Sequence, residues 1–197
     1  MLRMTIESRS LVVIAGLPGS GKSTLLRCTE SDAPFAVLDS DQTRNRLSRL
    51  VPEGTAYSRY RPLVHVLHRL RVTARVLREP GPVVVHDPAT GAATRGWLML
   101  LGLLSGRRRH FLWVECSPDD AAAGQRARGR VLPGRSFARH VRRLPRMRAV
   151  LDAGPPGWQA TTVVDRARAA DGLRLEALTG RQHAGSRGSS RSAGSSR

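Results

Sequence analysis

The stretch GLPGSGKS, Gly16 to Ser23, has the spacing Gly-x-x-x-x-Gly-Lys-Ser. Lys22 is the only lysine in the chain, so apart from histidine all other basic side chains are arginines. That contrast shows what the position needs. Glycines let a backbone curl until several N–H groups face one anion. A helix beginning behind them adds a dipole of the right sign. An amine on a flexible stem is a compact point charge that fits inside such a loop, whereas a guanidinium is a wide planar fork. A serine hydroxyl after the lysine is a ligand for Mg²⁺. Gly16, Leu17, Pro18, Gly19, Ser20, Gly21, Lys22, Ser23 and Thr24 are therefore the expected cradle for the phosphates of a nucleoside triphosphate. Given one lysine, chance agreement with the pattern is on the order of one in several hundred.

Three further stretches carry groups that suit phosphate chemistry. LDSDQTR supplies Asp39, Asp41 and Arg44; on a helix Asp41 and Arg44 share a face. VVVHDPAT supplies Asp87, preceded by His86. QRARGR supplies Arg126, Arg128 and Arg130. Each has a plainer reading beside the chemical one. Ser40 or Asp41 can cap a helix, Asp87 can shape a turn, and the arginines can be solvated surface.

The elements that must position these groups are legible in outline. SLVVIAG, FAVLD, PVVVHD, HFLWVEC and TTVVD read as five strands, the first a continuous apolar run suited to burial on both faces. Between them STLLRC, DQTRNRLSRL, the stretch from Tyr57 to Glu79, TRGWLMLLGLLS and SPDDAAAGQRARG read as helices. In the third of these, Leu63, Leu67, Leu70, Ala74 and Leu77 recur at helical spacing and are the expected buried stripe. SFARHVRRLPRMRAVLDAG is expected as one helix kinked near Pro145. RARAADGLRLEAL is expected as a last helix. Alternating strands and helices predict an α/β fold with a parallel sheet. Residues 1–178 are the expected domain. Residues 179–197, rich in Ser, Gly and Arg, have little to bury and are expected as a disordered tail.

With these residues in place, the chain resembles the small P-loop kinases of the polynucleotide-kinase and zeta-toxin type, within the AAA-family ATPases. The resemblance spans roughly Ser10 to Asp165 and rests on the glycine loop, LDSDQTR and QRARGR. It implies a three-layer P-loop NTPase sandwich with a five-stranded parallel sheet of order 2-3-1-4-5. It implies ATP and Mg²⁺ as cofactors, with Ser23 and Asp87, and further Asp39, at the metal. It implies Asp41 as the residue that orients or deprotonates an acceptor hydroxyl, with Arg44 as its partner. Arg126 and Arg130 would be lid arginines over the triphosphate, and Thr90 and Arg95 would help shape the acceptor side. His86 before Asp87 and Pro88 after it depart from a bare hydrophobic-run-plus-Asp motif.

The leading expectation is a kinase that passes the γ-phosphoryl group to an unidentified hydroxyl acceptor, a small molecule or a nucleic-acid 5′ end. The alternative is a nucleotide-dependent ATPase or switch, with nucleic acid as a candidate substrate. A guanine-specific GTPase is disfavoured, because the base-reading Asn-Lys-x-Asp motif requires a second lysine. A nucleic-acid-binding module with a vestigial nucleotide site is opposed by the intact loop. The formal net charge of +18 favours anionic partners and allows non-specific nucleic-acid affinity. Aromatics are too few, at 4%, for a base-stacking platform. Cys28 and Cys116 lack metal-ligand spacing and read as reduced thiols of a cytoplasmic protein. No apolar run approaches the roughly 20 residues of a membrane span. His65 and His68 have no evident acidic or cysteine partner nearby in the sequence and are not expected to bind metal.

Overall fold

The computed structural model describes residues 1–129 and 131–178. Arg130 and the expected tail at 179–197 lie outside them. In chain order the elements are β1 (Leu2–Ile6), β2 (Ser10–Gly16), α1 (Lys22–Arg27), β3 (Thr29–Ser31), β4 (Ala36–Asp39), α2 (Ser40–Ser48), α3 (Tyr57–Arg78) and β5 (Val83–His86). They continue with α4 (Ala92–Leu104), β6 (Arg108–Glu115), α5 (Pro118–Ala127), α6 (Gly134–Val141), α7 (Leu144–Asp152), β7 (Ala160–Asp165), α8 (Arg166–Ala170) and β8 (Leu173–Ala177).

β4, β5, β2, β6 and β7 lie side by side in that order, and every pairing is parallel. Numbered among themselves along the chain, these five strands have the expected order 2-3-1-4-5. The pleat of β2 explains its unbroken apolar run. Leu11, Val13 and Ala15 point to one face and Val12 and Ile14 to the other, and all five are fully buried. Val72 and Val76 of α3, Leu98 of α4 and Met147 of α7 pack on the first face. Leu25 of α1, Ala169 of α8, and Leu173 and Leu175 of β8 pack on the second. Burial of each large aliphatic side chain contributes about 1.5–3 kcal/mol.

Three expectations are corrected. The stretch after β7 is a short helix followed by strand β8, not one long helix. Leu173 and Leu175 face inward while Arg174 and Glu176 alternate with them, a strand period of two. Gly172, at φ +88°, makes the turn before β8; a Cβ there would collide with the Cys28 carbonyl. β8 joins β1 and β3 in a second, three-stranded parallel sheet that covers the second face of the main sheet.

On α3 the period was read correctly but its phase was not. Val64, His68, Val72 and Val76 are buried, whereas Leu63, Leu67, Leu70 and Leu77 are exposed. Four-residue spacing of three valines and a histidine puts the narrower side chains against the sheet, and the leucines fall on the neighbouring row. The helix expected to kink near Pro145 is instead two helices. They part at Arg142 and Arg143, and Pro145 occupies the first turn of α7, where its missing N–H costs nothing.

Candidate active site

Parallel pairing brings the carboxyl ends of β2, β4 and β5 to one edge. Its register sets Asp39 opposite His86 and Gly16 opposite Val114. The glycine loop starts at this edge and runs directly into α1. Gly19 adopts φ +99°, and a Cβ there would overlap the Ala121 carbonyl oxygen of α5. The loop is thus pressed against α5, and only glycine fits. Gln125 clamps it further. This buried side chain donates to the Pro18 carbonyl at 3.0 Å and accepts from the Leu132 N–H at 2.9 Å. Its role was missed from the sequence, where it is one polar residue beside a row of arginines.

Lys22 is 4% exposed, and its Nζ donates to the Gly16 and Leu17 carbonyls at 2.9 and 2.7 Å. Burial pushes its pKa down to about 8; the negative charge of Asp87 opposes this and Arg128 adds to it. Two further features fit a phosphate guest. Ser20 Oγ is buried without a partner, and the N–H groups of Lys22 and Ser23 open α1 with no carbonyl one turn back within the helix, whereas that of Thr24 donates to the Gly21 carbonyl at 2.8 Å.

Asp87 follows β5. Its N–H donates to the Ile14 carbonyl at 3.3 Å, and the next carbonyl, of Pro88, accepts from the Gly16 N–H at 3.2 Å. Asp87 Oδ1 also accepts from the Ala89 N–H at 2.7 Å, so the carboxylate shapes the turn as well. Ala89 sits at φ 45°, a left-handed conformation that costs a non-glycine residue about 1 kcal/mol or more. Arg95 steadies this turn by donating to the Ala89 and Thr90 carbonyls, both at 3.0 Å. Thr90 Oγ1 lies 2.7 Å from His140 Nδ1 on α6.

Asp39 caps α2, its Oδ1 accepting from the Asp41 N–H at 2.9 Å. The cap is therefore Asp39, rather than Ser40 or Asp41. Asp39 Oδ2 lies 3.0 Å from His86 Nδ1, close but not aligned as a hydrogen bond. Burial works against the Asp39 carboxylate, yet His86 and the Asp41 N–H hold its pKa below the ordinary value. Asp41 lies in the first turn of α2, where a negative charge suits the helix dipole. Arg44, one turn on, stacks on Tyr57 at the start of α3, 4.3 Å from the ring centroid.

Arg126 is exposed in the last turn of α5, and α5 ends at Ala127. The helical turn expected to relate Arg126 to Arg130 therefore does not extend that far, and Arg130 is outside the described residues. Arg128 caps α5, and its Nη1 lies 3.3 Å from Ser23 Oγ, so among the described residues of this stretch Arg128 reaches the loop. Gly129, at φ 60°, was the available signal that the helix stops before Arg130.

Ser23 and Asp87 offer a hydroxyl and a carboxylate, the oxygen donors that Mg²⁺ takes. Among the described residues no three His, Cys, Asp or Glu side chains gather as a metal cage. Mg²⁺ bound with a nucleotide takes one or two protein oxygens and completes its shell with phosphates and water. Among the described residues no helix is long and apolar enough to cross a membrane.

This fold and loop define a P-loop nucleotide-binding α/β domain. The model of the AAA domain family matches residues 11–153, and the chain belongs to that family. No curated protein is significantly similar in sequence. Among solved structures, one from the PezAT chromosomal toxin–antitoxin system of Streptococcus pneumoniae is similar at 11% identity and a TM-score of 0.63. The match covers 84% of this chain and 72% of that one, and it shows a shared fold. The Deinococcus radiodurans tunicamycin resistance protein matches at 19% identity and TM-score 0.47, covering 80% of this chain and 86% of that one. A gluconokinase from Sinorhizobium meliloti 1021 matches at 18% identity and TM-score 0.47, covering 83% and 89%.

Proposed function

We propose that this protein is an ATP-dependent phosphotransferase acting on a hydroxyl acceptor. The observation that carries the reading is the shared edge of β2, β4 and β5. There a buried lysine in a glycine loop lies within the electrostatic reach of both Asp87 and Asp39.

Gly16 to Thr24 hold the triphosphate, and Lys22 turns from the loop carbonyls to the β and γ phosphates. Ser23 and Asp87, with Asp39 nearby, would hold Mg²⁺, which when bound neutralises phosphate charge. The acceptor oxygen attacks the γ phosphorus in line. Its new P–O bond forms as the bond to the β–γ bridging oxygen breaks, and ADP leaves with that electron pair. Asp41 orients the hydroxyl and takes its proton. Arg44, stacked on Tyr57, stands one helical turn from Asp41 to steady the acceptor. Arg128, whose guanidinium reaches Ser23, supplies positive charge over the phosphates together with Arg126. Thr90 and Arg95 act on the acceptor side through the turn that they brace. Catalysis of this kind is mostly positioning and electrostatic stabilisation.

The test is incubation with γ-labelled ATP, Mg²⁺ and a panel of hydroxyl acceptors: sugars, sugar phosphates, nucleotide sugars, aminoglycosides and 5′-hydroxyl oligonucleotides. Label should appear on one acceptor class and vanish in Asp41→Asn. Label found only as free phosphate with every acceptor would replace the kinase reading with ATP hydrolysis.

A further inference from the structure

Between α3 and α6 the protein has an open, cleft-like cavity of about 480 Å³. Arg61, Pro62 and His65 of α3 form one wall; Pro133, Arg135, Ser136 and Arg139 form the other, at the start of α6. Among the described residues no carboxylate lines it. Elsewhere on the surface Arg75, Arg148 and Arg174 do have carboxylate partners, Glu79, Glu115 and Asp32.

We propose that this cavity holds the oxyanion of a small acceptor molecule, a phosphate or carboxylate carried some distance from the hydroxyl that receives the phosphoryl group. The proposal rests on the phosphotransferase reading above and names its substrate class. Three observations support it. Arg61 is held in place by neutral groups, donating to His65 Nε2 at 3.3 Å and to Ser136 Oγ at 3.0 Å. Among the described residues its charge is therefore positioned without being cancelled. Arg135 and Arg139 are four apart on α6, and like charges at that spacing repel. Arg135 also sits in the first turn of α6, where the helix dipole disfavours a cation. An anion between them turns both penalties into attraction, with guanidinium forks suited to bidentate contact.

The cavity adjoins the reaction edge. His65 senses the charge of Asp87. His140, on the same helix as Arg135 and Arg139, contacts Thr90 in the loop after β5. Tyr57, which carries Arg44, lies one turn before Arg61 on α3. An acceptor that reaches from Asp41 into the cavity would thus be gripped at both ends. No bond to the gripped oxyanion forms or breaks.

The experiment separates this subsite from the loop, which also takes phosphate. The full chain is saturated with Mg²⁺ and a non-hydrolysable ATP analogue, then titrated with glycerol 3-phosphate, glycerate and glycerol by isothermal titration calorimetry. One or both anions should bind at least tenfold more tightly than glycerol, and their ranking tells phosphate from carboxylate. Arg135→Gln/Arg139→Gln should lose that advantage while analogue affinity stays unchanged and melting temperature does not fall, both side chains being exposed and unfavourably placed as charges. Equal binding of anion and neutral compound, or wild-type anion binding in the double variant, would overturn the subsite. A 5′-hydroxyl oligonucleotide that binds tenfold more tightly than either anion through the same arginines would overturn the small-molecule class. Failure of the analogue to bind would count against the phosphotransferase reading alone, because the same titration in Lys22→Ala without nucleotide still reads the cavity.

Discussion

The Lys22 amine is buried, its pKa is pushed down to about 8 by that burial, and it donates to the backbone carbonyls of Gly16 and Leu17. A triphosphate offers it a stronger partner, so its desolvation is offset mainly when nucleotide binds. Lys22→Ala should weaken ATP-analogue binding at least tenfold, about 1.4 kcal/mol or more. Lys22→Arg should do nearly as badly, because the pocket that encloses the amine has no room for a fork; fluorescence titration with a labelled ADP checks both. His140 makes a different prediction. Burial, then the charges of Arg143, Lys22, Arg139 and Arg61, push its pKa down to about 4. The unfolded chain takes up this proton near the ordinary histidine value of about 6.5. The contribution to stability is therefore complete above that value and is lost as pH falls towards 4. Melting temperature should drop less between pH 7 and pH 5 in His140→Asn, which keeps an acceptor near Thr90, than in the wild type. At this scale Lys22 was legible because its type contrasts with every other base. Arg128 and Gln125 were not, because their roles depend on where α5 ends and on what it presses against.

Elements are held by a few buried polar contacts as well as by apolar faces. Arg107 is 1% exposed, in a loop that reads as an ordinary basic turn. Its guanidinium donates to the carbonyls of Val76 and Gly81 at 2.7 Å each, to that of Ser10 at 3.3 Å, and to that of Glu79. It thereby joins the C-terminal end of α3, the turn into β5 and the start of β2. Arg107→Ala strands several buried carbonyls and empties a large volume. It should cost about 3–5 kcal/mol, read as a fall in the urea midpoint with little change in slope. Arg107→Lys recovers only part, since one amine cannot span four carbonyls. No pattern along the chain marks Arg107, because its partners lie far from it in two separate segments, at Ser10 and at residues 76–81. The main sheet was legible for the opposite reason: each strand carries its own apolar run. β8 was misread because Arg, Leu, Glu and Ala all favour helices, and its two-residue alternation is only five residues long. On α3 both candidate stripes have helical spacing, and only the distance to the sheet chooses between leucine and valine.

At the scale of the whole molecule the formal charge of +18 acts on any polyanion, independently of the nucleotide loop. Duplex DNA releases counterions when arginines neutralise its phosphates, so binding through this charge must be steeply salt-dependent and indifferent to sequence. Lys22 and the phosphate loop are buried and are screened much less. The two kinds of anion binding should therefore separate on one axis. Electrophoretic mobility shifts with unrelated duplexes should be equal at about 50 mM salt and fall by orders of magnitude by about 200 mM. ATP-analogue affinity should change far less over the same range. A duplex that is retained at high salt, or preferred over its scrambled sequence, would show that the arginines form a dedicated nucleic-acid surface. The acceptor would then have to be sought among nucleic-acid ends rather than in the cavity between α3 and α6.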